Sequence, residues 1–124
     1  MTISTGVDLI EVYRIEEAIQ RHGERFLKRI FTSRELEQVG GQIPSLAARW
    51  AAKEAVAKAL CTGIGDVEWV EVEVLRGENK EPVLHLHGKA KTLAAEKGLH
   101  TWSISLSHTH EHAIAMVVAM GNEK

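Results

Sequence analysis

The chain has a single cysteine, Cys61, so no internal disulfide can form and a reducing compartment is expected. It lacks an apolar run long enough to span a bilayer and lacks a basic-then-apolar leading segment, so a cytoplasmic protein with no membrane partner is expected. A formal net charge of −2 denies it the bulk positive field that non-specific nucleic-acid binding needs, so any basic surface must be local. There is no repeat, low-complexity stretch or linker. The absence of a G-x-x-x-x-G-K-[ST] run argues against a P-loop kinase or GTPase, and the pair Gly63 and Gly65 is better read as the end of a helix. No G-x-S-x-G context surrounds Ser107, which weakens a nucleophile role for it.

What is present points to one domain over residues 1–124, long enough for a single core. Residues 2–10 are β-prone, with Gly6 inside the run. From Glu11 the period turns helical: Val12, Ile15, Ile19, Phe26 and Ile30 share one side of a 3.6-residue wheel, with Gly23 a candidate break. Thr32 and Glu35 form a capping-box pattern for a short helix that Gly40 and Gly41 end. Pro44 suits the first turn of a long helix running to about Cys61. Val70, Val72 and Val74 alternate with Glu71 and Glu73, the pattern of a half-buried strand. Further strands are expected at residues 83–87, 101–107 and 112–120, with a helix at 89–97. Four strands with hairpin-like neighbours and a helical half predict an α+β fold built on a mainly antiparallel sheet.

The long helix carries the first candidate chemistry. Ala51, Ala52, Ala55, Val56, Ala59 and Leu60 fill one side, and Trp50, Lys53, Glu54, Ala57 and Lys58 the other. Glu54 and Lys58, four apart, make either a solvated ion pair or part of a phosphate site. Asp8 is costly inside an apolar strand unless it is paired or metal-bound; the other reading is a cap for the following helix. If Asp8 and Glu54 converge, Mg²⁺ is the natural guest, since it takes one or two carboxylates plus phosphates and water. His108, His110 and His112 alternate at strand spacing, which suits either a transition metal or, better, a polar strand end offering donors to a phosphate. On an uninterrupted wheel Arg14, Arg21, Arg25 and Lys28 cluster within about 60°. That is either a solvated face or a docking surface for an acidic helix, with Phe26 as apolar anchor.

Four blocks in order resemble the holo-[acyl-carrier-protein] synthases, the small bacterial 4′-phosphopantetheinyl transferases. They are residues 6–15 (GVDLIEVYRI), residues 25–36 with Phe31-Thr32-Ser33-Arg34-Glu35, residues 49–65 with Trp50-Ala51-Ala52-Lys53-Glu54-Ala55, and Ser105-Leu106-Ser107-His108-Thr109 with Ala113-Ile114-Ala115. The resemblance implies transfer of the phosphopantetheine arm of coenzyme A to a serine of apo acyl carrier protein, releasing 3′,5′-ADP. It implies Asp8 and Glu54 as ligands of Mg²⁺ (or Mn²⁺), with Glu54 and Lys58 as catalytic groups. Coenzyme A contacts would fall to Arg49, Lys53, Lys58, Gly63, Ser107, His108 and Thr109, and carrier docking to Arg14, Arg21, Arg25 and Phe26. It also implies a homotrimer with sites between subunits and a role in fatty acid biosynthesis. Cys61 stands where this family usually has glycine, and the segment 40–46 is short for the family. The same residues also fit a Mg²⁺-dependent nucleotide or pyrophosphate hydrolase, or a non-catalytic binder of acidic helices.

Overall fold

The computed structural model describes residues 1–61 and 66–122. Strand β1 (Thr2–Glu11) leads directly into helix α1 (Val12–His22), followed by α2 (Glu24–Ile30), α3 (Ser33–Val39) and the long α4 (Ile43–Ala59). A 3-10 turn at Trp69–Glu71 opens the second half, which holds β2 (Val72–Arg76), β3 (Pro82–Leu86), α5 (Gly88–Glu96), β4 (Leu99–His108) and β5 (His112–Gly121). The expected α+β architecture is what forms. β5 lies between β1 and β4 in an antiparallel sheet, and β2 and β3 form a separate antiparallel hairpin.

Local signals act as the sequence implies where the chain makes its own contacts. The Thr32 hydroxyl accepts from the Glu35 amide at 3.1 Å, the Glu35 carboxylate accepts from the Thr32 amide at 2.9 Å, and Gly40 ends α3 in the left-handed region. Pro44 occupies the first turn of α4. Gly23, at φ 55 and ψ −132, splits the basic helical segment in two.

α4 lies on one face of the three-stranded sheet, and its alanines allow the helix to be buried on most of its circumference. Gly6 makes the closest approach possible: a Cβ there would sit 1.9 Å from the Ala55 carbonyl oxygen. The side chains at Ser4, Gly6, Asp8 and Ile10 therefore turn toward α4, and the Ser4 hydroxyl donates to the Ala59 carbonyl. The alternate positions Ile3, Val7 and Leu9 face outward, joined by Ile114 and Met116 of β5 as an exposed apolar sheet face.

Two expectations fail here. β2 is buried on both faces, and Glu73 is only 2% exposed. Its carboxylate accepts from the Thr32 hydroxyl at 2.6 Å and meets His87 Nε2 at 3.0 Å. The three histidines do not share a face, because residues 109–111 turn the chain. His108 ends β4 and His112 opens β5, and no group of three metal-ligating side chains forms among the described residues.

Candidate active site on the flanks of helix α4

The Gly6 contact brings β1 against the middle of α4 and sets Asp8 beside Glu54 and Lys58. Lys58 Nζ donates to Asp8 Oδ1 at 3.1 Å and to the Val7 carbonyl at 2.9 Å. Among the described residues Asp8 caps no helix; α1 begins at Val12, and its N-cap Glu11 makes no side-chain cap. The Glu54–Lys58 pair that their spacing suggested is not made, since Lys58 is drawn to Asp8 instead. No hydrogen bond or ion pair engages Glu54 among the described residues. Burial pushes the Glu54 carboxyl above the usual carboxylate range, the Asp8 charge adds to that rise, and Lys58 offsets part of it. Two carboxylates and one ammonium thus stand at a partly exposed edge, with one carboxylate under-compensated. This donor set fits a hard divalent cation, which takes oxygen ligands and relieves carboxylate repulsion.

Lys53 is not part of that edge. It is fully buried and lies about 100° round the helix from Glu54. Its Nζ donates to Glu35 Oε1 at 2.8 Å, to the Trp69 carbonyl at 3.1 Å and to the Val72 carbonyl. All three protons are used, which leaves none for a ligand. The expected exposed Lys53–Glu54–Lys58 cluster is corrected to Glu54 and Lys58 alone. Ala57, expected on the same side, is also buried.

Arg49 sits on the opposite flank, about half a turn round α4 from Lys58. Its Nε donates to the Val74 carbonyl at 3.1 Å, and the side chain lines a cleft of about 240 Å³ with Ser45, Arg76, Lys80, Leu106 and His108. Burial lowers the Arg49 pKa, the Arg76 charge lowers it further, and Glu35 partly offsets both. Arg76 and Lys80 come from the β2–β3 hairpin and were not anticipated, because charged residues scattered round a turn carry no periodic signal. Ser107 and Thr109 do not join His108 in the cleft. Ser107 is exposed on the outer face of the sheet, opposite Ile114, and Thr109 closes the β4–β5 turn by accepting from the Glu111 and His112 amides. Gly63 lies outside the described residues.

The arginine surface is also rearranged. Arg14 and Arg21 stay on α1, Arg14 paired with Glu11 just before the helix at 3.5 Å and Arg21 with Glu17 inside it at 3.4 Å. The break at Gly23 moves Arg25, Phe26 and Lys28 onto α2, so the single four-residue stripe does not exist. Phe26 instead forms one wall of a groove of about 380 Å³ with His22, Arg25, Arg29, Trp50 and Trp69. Phe26, Trp50 and Trp69 meet edge to face at 5.6 and 5.8 Å, and among the described residues Trp50 Nε1 is buried without a hydrogen-bond partner. The tryptophans were missed because one lies on α4 and the other on the 3-10 turn, far apart in sequence. Cys61, just past the end of α4, is exposed and adopts φ 58, a left-handed conformation that favours glycine.

These features match a known class. A family model described as the 4′-phosphopantetheinyl transferase superfamily matches residues 4–117. The holo-[acyl-carrier-protein] synthase of Herpetosiphon aurantiacus is 50% identical over 124 residues, covering 94% of this chain and 98% of its own length. That of Dehalococcoides mccartyi (strain ATCC BAA-2266) is 49% identical over 115 residues, covering 93% and 96%. Among solved structures, the Helicobacter pylori holo-[acyl-carrier-protein] synthase in complex with coenzyme A is similar at TM-score 0.86 and 28% identity, covering 94% of this chain and 99% of that one. The Neisseria meningitidis synthase gives TM-score 0.86 at 31% identity, covering 94% and 97%. The chain therefore belongs to the 4′-phosphopantetheinyl transferase superfamily and is an enzyme of that class.

Proposed function

We propose that this enzyme transfers the 4′-phosphopantetheine arm of coenzyme A to a serine of apo acyl carrier protein, releasing 3′,5′-ADP, with Mg²⁺ or Mn²⁺ held by Asp8 and Glu54. The observation that carries this reading is the under-compensated Asp8–Glu54 pair with Lys58 at its edge. A bound cation there would neutralise charge on the pyrophosphate as the leaving phosphate departs. Lys58, held over the site by Asp8 and the Val7 carbonyl, presents further positive charge to the phosphates. Glu54, beside Asp8 at the same edge, is placed to receive a proton from the incoming serine hydroxyl. The Arg49 cleft, with Arg76, Lys80 and His108, supplies cationic donors for the nucleotide phosphate.

The two charged groups lie on opposite flanks of α4, so one chain cannot close them round one ligand. β1 and β4 are the two edges of the sheet. A closed ring that sets the β1 edge of one copy near the β4 edge of the next would join the Asp8 and Arg49 halves into one site. It would also cover the apolar outer face and bring Ser107 to the interface. The homotrimer implied by the family satisfies this. Arg14 and Arg21 on α1 and the aromatic groove beside Arg25 and Phe26 then receive the acidic carrier helix, the arginines steering it and the groove taking an apolar side chain. No helix among the described residues is long and apolar enough to cross a membrane, and we place the enzyme in the cytoplasm and in fatty acid biosynthesis.

The test is incubation of apo carrier protein with coenzyme A, Mg²⁺ and enzyme, followed by intact mass of the carrier and chromatography of the nucleotide product. Equimolar phosphopantetheinylated carrier and 3′,5′-ADP are expected. Nucleotide cleavage without carrier modification would identify a hydrolase instead, and carrier binding without either product a non-catalytic adaptor.

A further inference from the structure

The most heavily built part of this molecule is a buried charge cluster that, Arg49 apart, touches none of the proposed substrate sites. Glu35, Lys53, Glu73 and Arg49 are all nearly or wholly buried, two anions against two cations. Each is tied to main chain or to a cap. Glu35 accepts from Lys53 at 2.8 Å, from the Thr32 amide at 2.9 Å and from the Val74 amide at 2.8 Å. Lys53 also donates to the Val72 and Trp69 carbonyls, and Arg49 donates to the Val74 carbonyl. Strand β2 thus grips α4 at two side chains one turn apart.

On the other flank α4 rests on Gly6, where no side chain intervenes. A helix held between a close contact on one side and two tethers on the other has no freedom to rotate about its axis. Glu54 follows Lys53 directly, so the rotation that the tethers set is the rotation that aims Glu54 at Asp8. Hydrophobic packing alone leaves this loosely specified, because seven of the seventeen α4 residues are alanines, whose small side chains key into few neighbours. Directional bonds to a buried ammonium specify it.

We propose that Lys53 is a positioning residue for phosphopantetheine transfer. Its buried pair with Glu35, anchored on β2, fixes the rotation of α4 so that Glu54 meets Asp8, and it makes no contact with coenzyme A. This inference rests on the reading of Asp8 and Glu54 as the cation site.

The experiment uses the full chain carrying Lys53→Met, Glu35→Gln, or both. The double variant removes both charges of the pair together and keeps the test open should Lys53→Met fail to fold. Leu99→Ala, a cavity at the start of β4 at the end of the sheet away from Asp8, controls for lost stability. Folding is checked by near-ultraviolet circular dichroism, Mn²⁺ binding by electron paramagnetic resonance of the free ion, and transfer kinetics by carrier mass. The expected result is a fall in kcat approaching about 100-fold in the double variant, the cost of misplacing a reacting group by about 1 Å. The coenzyme A KM should stay within about threefold of wild type, Mn²⁺ binding should weaken, and Glu35→Gln, which no substrate reaches, should lower kcat in the same direction. Leu99→Ala should keep its kcat and its Mn²⁺ affinity. A raised coenzyme A KM with kcat preserved would make Lys53 a ligand contact and overturn the proposal. So would a folded double variant with wild-type kcat and Mn²⁺ affinity. Wild-type protein that binds no Mn²⁺ would overturn the cation reading, and this inference with it.

Discussion

Helix α4 carries two clusters of charge that differ in almost every physical respect. On the β2 flank, Lys53, Glu35, Glu73 and Arg49 are buried, balanced in charge and bonded to main chain. On the β1 flank, Asp8, Glu54 and Lys58 are partly exposed, and Glu54 has no bonded partner among the described residues. Burying a charge is tolerated only with near-complete pairing, so Glu35, Lys53 and Glu73 are saturated and have no valence left for a ligand, and only Arg49 of this cluster also faces a cleft. The second sits where water still reaches and keeps acceptors free. The residues most deeply committed to ionic contact hold the fold in place, and the less satisfied ones a few residues away are those that can do chemistry.

The largest effect that would break this contrast falls on the buried side. Glu35→Ala strips Lys53 of its counter-charge and should cost about 3–5 kcal/mol in urea denaturation. A loss below about 1 kcal/mol would put the cluster in the class of surface ion pairs. On the exposed side, reversal of Arg14 and Arg21 to Glu should leave stability nearly unchanged. It should raise the carrier KM about tenfold and flatten its salt dependence. An unchanged carrier KM would place docking elsewhere. Cys61→Gly should stabilise the chain by about 1 kcal/mol, because Cys61 holds φ 58 against its Cβ.

The finest distinction is in pH. Burial and the Asp8 charge raise the Glu54 pKa, so the native chain takes up its proton more readily than the unfolded chain does. The stability this group contributes is fully present below the ordinary carboxylate range and is lost as pH climbs through that range to the raised value. Burial alone would raise Glu73 too, but the Thr32 and His87 hydrogen bonds and the Arg34 charge outweigh it and lower its pKa. Glu73 therefore contributes stability above the ordinary carboxylate range, and that contribution is lost as pH falls through the lowered value. Metal-free urea titrations across acidic to neutral pH should show opposite slopes removed by Glu54→Gln and Glu73→Gln. Matching slopes would erase the distinction between the flanks.

How much of this was legible beforehand depended on how local each contact was. The Thr32–Glu35 capping box and the break at Gly23 involve neighbours in sequence, and both were readable. Asp8 and Glu54 were identifiable as a pair because carboxylates in apolar settings need partners. Lys53 was misplaced because a helical wheel shows direction but not what covers it, and its stem reaches backbone carbonyls of a strand about twenty residues on. Glu73 obeyed strand alternation, yet the side it faces is roofed by Thr32, Arg34 and His87. The histidine spacing misled because a turn reverses the chain inside it. The Arg76–Lys80 contribution to the Arg49 cleft and the Trp50–Trp69 wall of the aromatic groove exist only through tertiary packing.

The central claim, that Asp8 and Glu54 are the working carboxylates of this transferase, is tested most directly by the transfer rate of Asp8→Ala at saturating Mg²⁺. The readout is intact mass of the carrier protein, with folding confirmed by circular dichroism. A loss of about 100-fold or more in kcat from a folded enzyme is predicted, the scale on which removing one charge-stabilising group slows group transfer. Transfer at the wild-type rate would contradict the account.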